Sequence, residues 1–478
     1  MAMAQPKFII TGSGNLFTAK EDGQTGTVAE NQPIQNIINA IRGECNGSCE
    51  IQFGNGMLAL DIGGSGIEFN DNWGEIALTG EITSNSEEPT IYIYEGVSVT
   101  SNANIKNIKN TSDHYGAIRN EGKLIISGGN IEAEYYAVDN NWEGELIISG
   151  GNIRAENCAV NNHGYATIND GNIEAVEVGA ICNHYTELII NGGNIKAESG
   201  AVFNDGDISN GESAFITING GSIEAEYGAV INSGGEITII DGSIEAESGA
   251  VSNGDGEITI RGGSIKAKTE AVINDGGELT IRGGNIEAIV VAVVNYEGKL
   301  TIRGGNIKSM ALAVLNLDTK AIALGVLKLI ISGGNISIID GDIPLDLLFD
   351  LKDLLEDLLD EELDIEDLIK FAIYNIGNED YFSLSDNVNI IGNVKSGNKN
   401  STILRSQIAN SQINIKTATN TIIFENLPRN AKVEVYNLQG KLISSNSFSQ
   451  ANHGQITVQA KGIYLAKIGS QTFRITVK

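Results

Sequence analysis

Basic residues are scarce in this chain. Only 31 Lys and Arg stand against 61 Asp and Glu, a formal net charge of −30. That balance argues against nucleic acid and anionic membrane surfaces as partners, because phosphate contacts need clustered Lys and Arg. The simplest reading of the charge is solubility of a long, repetitive surface. Aromatic residues make up 6% of the chain, low for a globular enzyme. No apolar run is long enough to span a membrane. Proline is nearly missing, at 5 residues, whereas glycine reaches 58, which suits many tight corners between short strands. Cysteine is limited to four, and no Cys/His spacing resembles a zinc site. Cys45 and Cys49 bracket a short Asn-Gly-Ser loop and are expected to pair in an oxidising compartment. Cys158 and Cys182 lie in neighbouring repeats but out of register, so they are expected to be unpaired. The start, Met1 to Pro6, lacks the basic and apolar regions of a secretory signal, and an exported protein is expected to have lost one.

What the chain does have is one phrase, repeated. Between 130 and 335 it returns ten times to (Gly/Asp)-Gly-(Asn/Ser)-Ile, with the Asn or Ser at 130, 152, 172, 194, 222, 243, 264, 285, 306 and 335. A period near 21 residues marks a solenoid. The chain's 478 residues also exceed one compact core. Each unit holds three short segments. Leu279 and Ile281 alternate with polar neighbours, Ile286 and Ala288 do so after a Gly-Gly corner, and Ala292-Val293-Val294-Asn295 closes the unit. Three strands per 21-residue coil predict an all-β chain, a parallel β-helix, with coils stacked at about 4.8 Å. A leucine-rich repeat has a similar period, but its Leu-x-x-Leu-x-Leu frame is not found here.

Two rows support this register. Asn120, Asn140, Asn162, Asn183, Asn204, Asn232, Asn253, Asn274, Asn295 and Asn316 recur at one position, where stacked amides can bond along the rod. Glu132, Arg154, Glu174, Lys196, Glu224, Glu245, Lys266, Glu287 and Lys308 form a second row whose signs mostly alternate, so lateral neighbours are expected to pair.

The array is expected over 101–342. Residues 1–100 read as an N-terminal cap with early, degenerate coils, including an amphipathic helix that carries Ile34, Ile37, Ile38 and Ile41. Leucines at steps of three and four, with Asp and Glu between them, predict an acidic amphipathic helical segment over 343–375 that covers the end of the rod. Residues 376–412 read as final strands and a polar linker, and 413–478 as a small β-sandwich domain.

The last residues carry a recognisable pattern: Leu427-Pro428, then 431–441 (Ala-Lys-Val-Glu-Val-Tyr-Asn-Leu-Gln-Gly-Lys), 461–468 (Lys-Gly-Ile-Tyr-Leu-Ala-Lys-Ile), and a terminal Phe473-Arg474-Ile475-Thr476-Val477-Lys478. This stretch resembles the C-terminal sorting domain of the type IX secretion system of Bacteroidetes and related bacteria. The resemblance covers about a seventh of the chain. It implies export across the outer membrane, contact with the type IX machinery, and a secreted or outer-surface location. It implies nothing about the cargo's activity. The array in turn resembles right-handed parallel β-helix proteins, the superfamily of pectate lyases and many adhesins, which fixes architecture and not function.

Two places break the repeat. The first is the insertion Asp205-Gly206-Asp207-Ile208-Ser209-Asn210-Gly211-Glu212, where Asp205, Asp207, Ser209 and Glu212 resemble half a calcium loop. Calcium is the one cofactor these oxygens would take, and a plain polar loop is the simpler reading. The second is an edge just after the Asn row, where Trp142, His163, Tyr165, His184 and Tyr185 recur on consecutive coils beside Asp205. Aromatic rings, imidazoles and a carboxylate on one edge can hold a sugar, though variation on exposed turns explains them too. A general acid and base must converge on one bond, and no adjacent Asp pair on neighbouring coils offers that. The preferred expectation is therefore a secreted or cell-surface, non-catalytic protein for adhesion or glycan binding, its partner a polysaccharide. A β-helix carbohydrate-active enzyme and a structural surface-layer protein are the alternatives.

Overall fold

The computed structural model describes residues 5–338 apart from 46, 55–58, 65, 71–72, 110–115, 207–213, 297 and 318–328, then short strands between 371 and 396, and most of 414–477. It divides into two units, 1–404 and 405–478.

The first unit is a parallel β-solenoid. The repeat dictates this coil by coil. In one coil, Glu278–Ile281 runs into Asn285–Ala288 and then Val291–Asn295, and each strand pairs in parallel with its equivalent 21 residues on. The phrase between the first two strands needs glycine for a steric reason. Gly284 sits at φ +90°, and a Cβ there would lie 2.8 Å from the Gly262 carbonyl oxygen of the coil before. The third strands stack into a 14-stranded sheet. Inward residues of all three faces form one continuous core of Ile, Leu, Val and Ala, among them Ile281, Ile286, Ala292 and Val293.

The cap begins with an antiparallel pair, Lys7–Ser13 and Leu16–Glu21. The helix Ile34–Glu44 follows Pro33 and buries Ile34, Ile37, Ile38 and Ile41, the stripe its spacing predicts. Parallel coiling starts well before the repeated phrase: Ser48–Phe53 already pairs with Glu75–Ser84. The array also outlasts the phrase. Phe371–Asn375 pairs with Leu312–Asn316 and sets Asn375 opposite Asn316. These five residues fall inside the segment expected to be helical and are a strand instead, because they continue the Ala-Ile-x-Asn frame of the third strands. The rest of that segment, 343–370, lies outside the described residues. Handedness was expected from resemblance alone; parallel coiling is what the pairing records.

The Asn row is an unbroken amide ladder. Each Nδ2 donates to the next Oδ1 from Asn120 to Asn316, at 2.6–3.0 Å, and the ten side chains are buried. Its first acceptor, Asn120 Oδ1, has no partner among the described residues. The cause is local: the coil before places Ile93 opposite Asn120, and an isoleucine cannot donate.

The second unit has two antiparallel sheets. Asn414–Ala418, Thr421–Glu425 and His453–Thr457 form one. Leu442–Phe448, Ala431–Asn437, Gly462–Ile468 and Gln471–Val477 form the other. Ile422, Phe424, Val433, Val435, Tyr464 and Ile475 are among its core.

Candidate functional site

The fold brings the edge residues together. Third strands end on the Asn ladder, and the next position on consecutive coils is His163, His184 and Asp205. Trp142 and His163 have ring centroids 5.5 Å apart, and His163 stacks on His184 at 4.7 Å. His184 Nδ1 lies 3.3 Å from Asp205 Oδ2, where an Nδ1–H donates to the carboxylate. Burial first, and the neighbouring His184 second, push the His163 imidazole down to about 4. Its Nδ1 is buried without a hydrogen-bond partner among the described residues. His163 is therefore a neutral ring inside an aromatic stack at neutral pH, while His184 is committed to Asp205.

Tyr165 and Tyr185 turn away from that stack into a cavity of about 510 Å³, which Phe215 shares. Tyr165 and Phe215 are 63% and 44% exposed. Thr217, Thr238, Glu187 and Glu236 supply its polar lining. Tyr185 adopts φ +55°, a left-handed conformation that a bulky residue takes up at a cost of order 1 kcal/mol. Phe215 is not among the residues singled out from sequence. Its signal was present: it holds a position filled by Glu187 on the coil before and Glu236 on the coil after.

The calcium reading divides. Asp207, Ser209 and Glu212 lie outside the described residues. Asp205 is described, and its carboxylate faces His184. Among the described residues no group of three or more His, Cys, Asp or Glu side chains is placed to hold a metal ion.

The cysteines require one correction. Cys45 and Cys49 are joined, with Cα atoms 5.5 Å apart. Cys158 and Cys182, expected to be unpaired, are joined as well, with Cα atoms 6.6 Å apart. Strict alternation misleads at this corner. Ala159 and Val160 both face the core, so Cys158 and Asn161 share the outer face. Cys182 aligns with Asn161, and Gly179 aligns with Cys158. A Cβ on Gly179 would stand 3.1 Å from Cys182 Sγ, so the cysteine reaches over the glycine toward its partner.

The charged row needs a second correction. Its members are in register, but among the described residues only Glu132 closes an ion pair, with Lys106 at 2.7 Å. The rest, Lys308 apart, flank an open groove of about 900 Å³ with an alanine floor, including Ala197, Ala225 and Ala246, and a second wall of Glu198, Glu226 and Glu247. Exposed long side chains gain little from pairing, so alignment alone does not close the bridges. A further cluster was missed from sequence. Arg119 bonds Glu121 at 3.0 Å and lies over the Tyr92 ring, which stacks on Tyr94. Burial would raise the Glu121 carboxyl, but hydrogen bonds from Tyr92, Arg119 and Asn141 carry it below its ordinary value. That cluster is satisfied internally.

The class of protein is now defined: a parallel β-solenoid followed by a separate two-sheet unit. Residues 409–478 match the family model described as the secretion system C-terminal sorting domain. The chain is a type IX cargo, directed to the cell surface or beyond it by this tail. Among the described residues no helix is long and apolar enough to cross a membrane. No curated protein and no solved structure matches the chain.

Proposed function

We propose that this protein is a non-catalytic adhesion or glycan-binding solenoid that holds a sugar against its aromatic flank. The observation that carries the reading is the cavity where Tyr165, Tyr185 and Phe215 converge. In a chain with 6% aromatics, three rings that line one cavity, Tyr165 and Phe215 exposed and Tyr185 half-buried, stand outside the core. Aromatic faces stack on the apolar faces of sugar rings, and nearby hydroxyls and carboxylates fix the ring's orientation. Thr217, Thr238, Glu187 and Glu236 are the groups available for that. The edge next door is what supports the non-catalytic reading. A general acid and base must converge on one bond, whereas His184 and Asp205 face each other.

The test is a glycan array and a reducing-end assay on the full chain and on Tyr165→Ala and Phe215→Ala. The expected result is binding without product release, weakened about fivefold or more by each truncation, as the loss of one stacking contact predicts. Unchanged affinity in both variants, or no bound glycan at all, overturns the reading. Product release replaces it with the enzymatic alternative.

A further inference from the structure

We propose a second site on this solenoid: a cation-lined strip on the coils between Thr259 and Met310 that takes a linear acidic polysaccharide. It begins with a local break in the repeat. Arg261, Arg282 and Arg303 hold one position on three consecutive coils, just after the first strand. Their backbone N–H groups each donate at 2.7 Å to the coil before, to the carbonyls of Ile239, Ile260 and Ile281. The guanidinium stems are therefore set one coil apart, about 4.8 Å. The same position holds Asn219 and Ile240 on the preceding coils and Ser332 on the following one. All three arginines are exposed, and among the described residues none of their guanidinium groups makes a hydrogen bond or an ion pair.

The surroundings reinforce the charge. Across 259–268, 280–289 and 301–310 the outward side chains include six bases, Arg261, Lys266, Lys268, Arg282, Arg303 and Lys308, against one acid, Glu287. Six minus one gives +5 on three coils of a chain that carries −30 overall. Of the six, among the described residues only Lys268 is in an ion pair, with Glu247 of the coil before. Like charges set directly opposite each other on adjacent strands repel. An uncompensated row of guanidiniums is thus a destabilising feature that a bound polyanion relieves.

The shape selects the kind of polyanion. Beside the arginines runs a trough of about 670 Å³ lined by Gly263, Gly284, Gly305, Asn285 and Asn306, with Asp241 at one end. Glycines leave room for a chain to lie close to the backbone. Asn306 donates one amide hydrogen to Asn285 Oδ1 at 2.8 Å, which leaves the other for a hydroxyl. The ligand lies along the rod axis and meets one guanidinium per coil. A sugar polymer advances along its chain by close to one coil per residue, so successive carboxylates or sulfates fall within reach of successive arginines. Arg binds such groups through two parallel N–H bonds. This site does not depend on the aromatic cavity.

The experiment is affinity electrophoresis of the full chain through polygalacturonate, a sulfated glycan, neutral dextran and single-stranded DNA. The proteins are the parent, Arg261→Gln/Arg282→Gln/Arg303→Gln, each single Arg→Gln variant, and Tyr165→Ala. Retention by an acidic glycan at low salt, lost at high salt, is expected, and the preferred polymer identifies the acid. The triple variant should lose about tenfold or more in affinity, the sum of three exposed charge-assisted contacts. Tyr165→Ala should leave this retention unchanged, which separates the strip from the aromatic cavity. The single variants score the site even if the triple one loses stability. No retention by either acidic glycan, unchanged retention across the Arg variants, or preferential retention by DNA overturns the proposal.

Discussion

At the scale of single residues, His163 is the most informative side chain. Its ring is half-buried between Trp142 and His184, and burial holds its imidazole near 4 against an ordinary 6.5. The sign follows from linkage. The unfolded chain binds the proton first, so stability is fully present above about pH 6.5 and declines as pH falls toward 4. An NMR titration should find one imidazole neutral at pH 6 and titrating near 4, and His163→Gln should remove that signal. A His163 titrating near 6.5 would mean that the ring is not buried in the stack. Residue-scale detail was also where sequence reading stopped short. The His and aromatic edge was visible because those residues break a repeat at a fixed offset. Phe215 departs from its repeat in the same way but is not among the residues singled out from sequence. The Cys158–Cys182 link was not visible, because period-2 alternation assigns the two cysteines to opposite faces. The corner at Ala159 and Val160 suspends that alternation.

At the scale of the coil, most of the architecture was legible because one residue type marks each corner. The phrase fixed three strands per coil, and the Asn row fixed their register to the residue. The early coils were read as degenerate because they lack the phrase, yet they pair in the same parallel sense. Their inward apolar positions suffice without it. The two Asn rows invite a direct comparison. Asn253 is buried, bonds Asn274 Oδ1 at 2.7 Å, and accepts from Asn232. Asn306 belongs to the exposed row of the repeated phrase, and among the described residues its side chain bonds Asn285 and Asn335. Asn253→Ala leaves a buried amide oxygen on Asn274 without its donor, and is expected to cost about 1–3 kcal/mol. Asn306→Ala removes similar bonds where water can replace them, and is expected to stay within about 0.5 kcal/mol. Chemical-denaturant midpoints of the two variants check this. Equal losses would mean that the ladder's value does not come from burial.

At the scale of the whole molecule, the chain is two units with two separate cores. The sorting tail was legible because its strands carry a specific pattern, from Leu427-Pro428 to the terminal Phe473-Arg474, and it matches the sorting-domain model over 409–478. The solenoid's biochemical role was not legible in the same way, since its rows are structural at most positions. A regular surface shows function only where it departs from its own repeat, as at Tyr165 and Phe215 or at Arg261, Arg282 and Arg303. This division of labour has a measurable consequence. Among the described residues, Ile422, Phe424, Val433 and Val435 belong to the core of the second unit, and the solenoid core is a cluster of its own. Truncation after 404 should therefore leave the thermal midpoint of the solenoid unchanged and its glycan contacts intact, while export across the outer membrane is lost. A large drop in that midpoint would show that the tail is part of the solenoid's fold. Export that survives the truncation would show that the address lies elsewhere in the chain. The expected outcome, stability kept and export lost, assigns address and binding to separate units and locates any ligand on the coils.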